Sequence, residues 1–175
     1  MLHLGYYDSP LGKITMASAG EAVFGVWFDG QKYYPDLTGC AETDCPALLD
    51  CRRWLDLYFA GREPDFLPPL QPRGSDFRQA VWAELLKIPY GETTTYGAIA
   101  QALARQRGLA SVSAQAVGGA VGHNPISILI PCHRVIGAGG SLTGYAGGVA
   151  RKSALLELEK ADLSGCFVPK KGTAL

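Results

Sequence analysis

Apolar and polar positions change rhythm along this chain, and the changes divide it. Residues 3–7, 13–19 and 22–28 are short apolar-rich runs of strand length, separated by the turn signals Ser9-Pro10-Leu11-Gly12 and Ala19-Gly20-Glu21. From 46 to 60 the apolar residues fall at 47, 48, 51, 54, 55, 58 and 59, which is helical spacing. The stretch from 61 to 74 then holds Pro64, Pro68, Pro69 and Pro72. Proline removes backbone donors and fixes φ, so this is the clearest boundary in the chain. The part before it reads as a small α+β module.

Beyond the boundary the spacing is helical. Ser75 or Asp76 can cap a helix that carries Phe77, Val81, Trp82, Leu85 and Leu86 on one face. Pro89-Tyr90-Gly91-Glu92 is a turn, and Thr93 or Thr94 can cap a second helix with Ile99, Ala100 and Leu103. Residues 106–110 read as a loop, Ser111 or Ser113 opens a third helix, and a fourth runs from about Val149 to Glu159. Two helices joined by a short connection match the helix-turn-helix plan of DNA readers, although most such pairs are only packing units. Gly118 and Gly119 lie inside the third helix, where each costs about 1 kcal/mol relative to alanine. Either an external partner or a neighbouring helix must pass close to them.

Composition narrows the class. With 47% hydrophobic and 18% charged residues, the chain has enough apolar material for one or two cores and is not a largely disordered sequence. The start, Met-Leu-His-Leu-Gly-Tyr-Tyr-Asp, lacks the pattern of a secretory signal, and no segment is long enough to span a bilayer, so a cytoplasmic protein without membrane contact is expected. Five cysteines, an odd number, favour free thiols over a disulfide framework. Net charge is zero, but residues 1–75 hold 6 Lys/Arg against 10 Asp/Glu, whereas residues 76–165 hold 8 against 6, and Lys170 and Lys171 follow. A mildly basic second half permits phosphate contact without demonstrating it.

The candidate chemistry lies at 124–135, Asn-Pro-Ile-Ser-Ile-Leu-Ile-Pro-Cys-His-Arg-Val. An apolar run delivers the chain to Pro131, a residue suited to starting a helical turn. Cys132 just inside such a turn would meet unpaired backbone donors and the positive end of a helix dipole, both favouring thiolate. His133 could take the proton. Sequence neighbours on a helix do not face one another, so a bridging water is one route. A thiolate is the stronger nucleophile toward a soft alkyl carbon. The alternatives are a small buried hydrophobe and a metal ligand, although two adjacent ligands without a second pair make a poor zinc site.

Pro131-Cys132-His133-Arg134-Val135 resembles the active-site signature of the O6-alkylguanine-DNA alkyltransferases, also called methylated-DNA–protein-cysteine methyltransferases. So do Ala116-Val117-Gly118-Gly119-Ala120, Asn124-Pro125, Gly144-Tyr145-Ala146-Gly147-Gly148, Phe77-Arg78-Gln79-Ala80-Val81-Trp82 and Ile88-Pro89-Tyr90-Gly91-Glu92-Thr93. The likeness is dense over residues 75–162 and looser before, chiefly through Ser9-Pro10-Leu11-Gly12. It implies an α+β protein: a small ribonuclease-H-like α/β domain (1–68), a linker (69–75), a winged helix-turn-helix-like domain that binds DNA and holds the active site (76–165), and a C-terminal tail (166–175). The implied activity is DNA repair by direct reversal of damage. A methyl or other alkyl group moves from O6 of guanine, with O4 of thymine as a second candidate, to Cys132 after base flipping, once per molecule. The implied partner is double-stranded DNA carrying O6-alkylguanine, met by a monomer.

The resemblance assigns roles residue by residue. Cys132 displaces the alkyl group, and His133 relays its proton through water toward Glu159, whose carboxylate orients the imidazole. Asn124 braces the turn. Tyr96 helps rotate the nucleotide out and protonates the departing guanine. Gln115, Ala116, Gly118, Gly119, Arg134, Val135, Tyr145, Ala146, Gly147 and Lys152 are the implied substrate and DNA contacts. The third helix would enter the minor groove, where small residues permit close approach. Gln115 stands where many members carry an arginine that fills the space left by the flipped base. Glutamine loses cation–π stacking and phosphate attraction, so weaker DNA binding and slower flipping are expected. Arg105 and Arg107 could supply compensating phosphate contacts. Cys40, Cys45 and Cys51 do not have paired-zinc spacing, and no metal or other cofactor is expected. Two rivals remain: a lesion sensor, though relatives of that type replace the cysteine, and a cysteine hydrolase built on Cys132 and His133.

Overall fold

The computed structural model describes residues 1–170, so the expected tail at 166–175 lies partly, and Lys171 wholly, outside the described residues. The chain forms two compact units. One is Met1–Arg73 with Pro125–Leu129, and the other is Gly74–Asn124 with the described residues from Ile130 onward. The fold is mixed α+β, and no described helix is long and apolar enough to cross a membrane.

The first unit is built on the three expected strands, β1 (Leu2–Ser9), β2 (Gly12–Ala19) and β3 (Ala22–Phe28), with a short β4 (Ala41–Glu42). The sheet order is β3-β2-β1-β4, antiparallel except for the parallel β1–β4 pair. The first turn pairs Ser9 with Gly12 and is closed by the Ser9 hydroxyl, which donates to the Gly12 carbonyl at 2.6 Å. Helix α1 (Pro46–Phe59) lies on the sheet and buries Ala47, Leu48, Cys51, Trp54, Leu55 and Tyr58, the spacing seen in the sequence. Each large side chain buried this way contributes roughly 1.5–3 kcal/mol. A second cluster, Leu4, Ala17, Phe24 and Trp27, gathers Leu37 and Cys40 of the long loop after β3. Gly25 allows it, because a Cβ there would lie 1.7 Å from the Trp27 ring.

The proline stretch is not a free linker throughout. Its Pro69 carbonyl accepts from Val23 N and its Gln71 N donates to Val23 O, so Leu70 pairs beside β3. Pro125–Leu129 does the same further along: Val26 N donates to Pro125 O and Ser127 N to Val26 O. The outer edge of β3 is thus satisfied by two extended pieces from distant parts of the chain.

The second unit contains α2 (Asp76–Leu85), β5 (Thr94–Thr95), α3 (Tyr96–Arg107), α4 (Ala114–Gly122), β6 (Val135–Ile136) and α5 (Val149–Leu158). Ser75 caps α2 and Ser113 caps α4, each accepting from the amide three residues on. The cap of α3 is Thr95 rather than Thr93 or Thr94: its hydroxyl accepts from Ala98 N at 3.1 Å, and Thr94 and Thr95 together form the short β5 paired with β6. Helix α3 also runs two residues into the expected loop. It stops at Gly108, whose φ of +63° and backbone bonds to Arg105 and Ala104 form a Schellman end. Leu86 does not join the buried face of α2; it lies past the last helical turn and is 45% exposed. Helices α2 and α3 both pack on α4, and the Trp82 indole donates to the Ala120 carbonyl at 2.8 Å.

Candidate active site

Cys132 is positioned by two tight backbone devices. Asn124, just past α4, sends Nδ2 to the Ile130 carbonyl at 2.8 Å, tying together the points where the chain leaves and re-joins the second unit. Pro131 has φ −82° and ψ 64°, and Cys132 N donates back to Ile130 O at 2.8 Å, an inverse γ-turn. Cys132, His133 and Arg134 then make one short helical turn and are all buried.

That turn is too short to supply the helix-dipole activation expected from Pro131-Cys132. Burial dominates and holds the thiol above its ordinary pKa. The Asn124 side chain, the Lys152 charge and the amides of Cys132 and His133 all act in the opposite direction. The resting group is a shielded thiol poised among groups that favour its anion.

Beside it, Nε2 of His133 meets Glu159 Oε2 at 2.5 Å in a fully buried pair. Burial pushes the imidazole below its usual pKa against the pull of Glu159, and Arg134 and Lys152 push the same way as burial. Glu159 follows the last residue of α5 as its cap. Burial would raise its carboxyl, but hydrogen bonds and charge from His133 and Arg134 prevail and bring it to about 2. At neutral pH the two directions favour an ionised carboxylate facing a neutral imidazole, with Arg134 as the standing positive charge beside Glu159.

Three residues expected to contact substrate or DNA sit inside instead. Arg134 is 8% exposed and gives Nε to Glu159 Oε1 at 2.7 Å and Nη1 to the Ile88 carbonyl at 2.7 Å. Val135 is fully buried in β6. Lys152, also fully buried, donates Nζ to the carbonyls of Val135 and Thr143, and burial brings its pKa to about 8. A buried cation must find partners within the protein, and Arg134 and Lys152 have done so. Tyr96 is buried with its hydroxyl donating to Thr143 O at 3.0 Å, and burial, with the charge of Cys132, raises its pKa. Lys152 Nζ lies 6.0 Å from the Tyr96 ring centre.

The other predicted contacts divide by exposure. Gln115 and Ala116 are exposed on the first turn of α4. Gly118 is buried, while Gly119 is half-buried with nothing within 4 Å of an added Cβ. Tyr145 is buried, and Ala146 and Gly147 are half-buried in the loop that leads to α5 through Gly148, at φ +93°. Arg105 and Arg107 are exposed at the end of α3, Arg107 lying 5.8 Å over the Phe77 ring.

Residues 2–72 match the 6-O-methylguanine DNA methyltransferase, ribonuclease-like domain, and residues 76–161 match the DNA binding domain of the same family. The chain belongs to the 6-O-methylguanine DNA methyltransferase family. A methylated-DNA–protein-cysteine methyltransferase of Mycobacterium tuberculosis is 48% identical over 92% of this chain and 94% of its own. One from Haemophilus influenzae is 40% identical over 91% and 87%. A crystal structure of the Mycobacterium tuberculosis protein in complex with DNA superposes with a TM-score of 0.79 at 46% identity, covering 92% of this chain and 96% of that one. The family function is DNA repair by transfer of an alkyl group to a cysteine.

Sequence reasoning named the family's Cys-His pair with Glu159 and Asn124, but not the backbone groups that anchor the side chains around them. Gly91 N donates to Glu159 Oε1 at 3.1 Å, and Ile88 O and Thr143 O anchor Arg134, Lys152 and Tyr96. These are backbone groups, for which a sequence carries no side-chain signal. The positive φ demanded of Gly91 (+79°) was the one available hint.

Proposed function

We propose that this family member repairs O6-alkylguanine in double-stranded DNA by moving the alkyl group once, irreversibly, onto Cys132. The proposal rests on the Cys132 turn beside a buried 2.5 Å His133–Glu159 pair. The Cys132 proton passes through a water to Nδ1 of His133, while Nε2 remains with Glu159. Sulfur attacks the alkyl carbon, the bond to O6 breaks, and its electron pair stays on the purine. Tyr96 turns its hydroxyl from Thr143 O to the departing base and supplies a proton. Proton exchange then neutralises the imidazolium and the phenolate. The product is a thioether with no good leaving group, which accounts for a single turnover.

O6 lies at an edge hidden by pairing and stacking, so the nucleotide must be everted, at a cost of a few kcal/mol that damage reduces. The exposed first turn of α4 (Gln115, Ala116) and the open side of Gly119 suit a minor-groove approach, and residues 145–147 suit a wall of the base pocket. We take the protein to act as a monomer in the cytoplasm. O4-alkylthymine is a second candidate substrate of the same chemistry.

The test is intact-mass analysis with peptide mapping after incubation with an O6-methylguanine duplex. One methyl group on Cys132, stoichiometric with protein, is expected, and Cys132→Ser should bind the duplex without accepting it. Binding with no adduct would make the protein a sensor, and repeated turnover would make it a hydrolase; either overturns the proposal.

A further inference from the structure

Glu159 has two oxygens and each serves a different partner. Oε2 receives His133 Nε2 at 2.5 Å, while Oε1 receives Arg134 Nε at 2.7 Å and the Gly91 amide at 3.1 Å. Arg134 is itself pinned, with Nη1 on the Ile88 carbonyl at 2.7 Å and its guanidinium 5.7 Å over the Tyr90 ring. Both outer anchors belong to the turn at 88–91. That turn comes so close to Glu159 that a Cβ on Gly91 would stand 3.0 Å from the Glu159 carbonyl, with φ at +79°. The resemblance implied a DNA contact for Arg134 and assigned this turn no role.

We infer that Arg134 is a positioning residue which, with the 88–91 turn, shares Glu159 with His133 and thereby leaves the imidazole able to accept the Cys132 proton. The inference builds on the reading of Cys132 as nucleophile. A buried carboxylate needs a compensating positive charge. Were His133 its sole neighbour, the pair would settle as imidazolium and carboxylate, and the imidazole would already hold the proton it has to take. A guanidinium stays charged under all ordinary conditions, so it satisfies Glu159 without drawing on His133. The charged and titratable groups facing His133 are Glu159 and Lys152 from α5 and Cys132 and Arg134 from its own turn, with Tyr96 of α3 beyond Lys152 and Cys132. Burial is the largest influence keeping the ring neutral, and Arg134 and Lys152 add to it against the pull of Glu159. A purely structural clamp would hold the fold together without setting the protonation of His133.

The test is carbon-detected NMR of ring-labelled histidine in the full-length protein, whose three histidines are His3, His123 and His133. His133 is assigned by loss of its signal in His133→Gln. In the wild type, His133 should stay neutral, protonated on Nε2, from pH 6 to 8. In Arg134→Met its titration midpoint should rise by about one pH unit or more, and the rate of methyl transfer at pH 6 relative to pH 8 should fall by about twofold or more. Arg134→Lys should restore part of both effects, since an ammonium supplies the charge but not the fork that reaches Ile88. A wild-type His133 already charged at pH 7, an unmoved midpoint in a folded Arg134→Met, or a midpoint in Arg134→Lys displaced as far as in Arg134→Met, would overturn the inference. The wild-type arm decides even if Arg134→Met fails to fold. The titration needs no DNA, so absence of a methyl adduct would count against the proposed function alone.

Discussion

At the scale of single residues, Glu159 is where electrostatics and stability meet. Its folded carboxyl sits at about 2, against 4.5 for the free side chain. The unfolded chain therefore takes up the proton first as pH falls. The stabilisation is complete above about pH 4.5, drains between there and pH 2, and is on the order of 3 kcal/mol. Urea denaturation from pH 6 down to pH 2.5 should show this loss in the wild type. Glu159→Gln should flatten that part of the profile. It should also be less stable at pH 7 by about 3–5 kcal/mol, because Arg134 is left buried without its counter-charge. Cys132 and His133 were legible as candidate chemistry from type and adjacency, and Glu159 only through the family resemblance. Seen as a sequence, Glu159 is an ordinary helix-end charge 26 residues from His133, and only folding brings the two to 2.5 Å.

At the scale of elements, α4 divides its glycines between two demands. Gly118 is buried in a helix that packs on α2 and α3, whereas Gly119 has open space at the position of a Cβ. Nothing in the fold requires glycine at 119, yet it costs about 1 kcal/mol of helix stability. Gly119→Ala should raise the unfolding free energy by up to about 1 kcal/mol while weakening duplex binding; unchanged binding would remove α4 from the DNA surface. Gln115→Arg, on the exposed first turn, should tighten duplex binding, steepen its salt dependence and speed alkyl transfer, as measured by titration at several ionic strengths and single-turnover kinetics. The existence and type of the longer elements could be read from spacing because burial of one face imposes a period on the sequence. The two-residue strands β4, β5 and β6 could not, since two residues establish no period.

At the scale of the whole molecule, the boundary at the proline stretch is visible in the sequence, but its crossing by Pro125–Leu129 is not. That segment looks like an apolar approach to Pro131, and it pairs with β3 in the first unit. Ile128 within it has φ +73°, uncommon for a β-branched residue, and Leu129 N donates to Ser127 O around it. A fragment ending at Arg73 would leave Val26 N and O without these partners and expose part of the β3 edge. It should be less stable than the same unit in the intact chain and prone to self-association, measurable by hydrogen exchange at Val26 and by light scattering.

By itself, the sequence determined the strands, the helices, the division near the prolines and, through its motifs, the family and its cysteine chemistry. Those are local facts, carried by side-chain type and spacing. Tertiary structure decided the protonation landscape and the partners. It made the Cys132 turn too short for a dipole and turned Arg134 and Lys152 inward. It also set Glu159 between a histidine and an arginine, and it gave residues 125–129 to the first unit. Each of these depends on burial and on backbone groups far apart in the chain, and neither leaves a periodic trace in the order of residues.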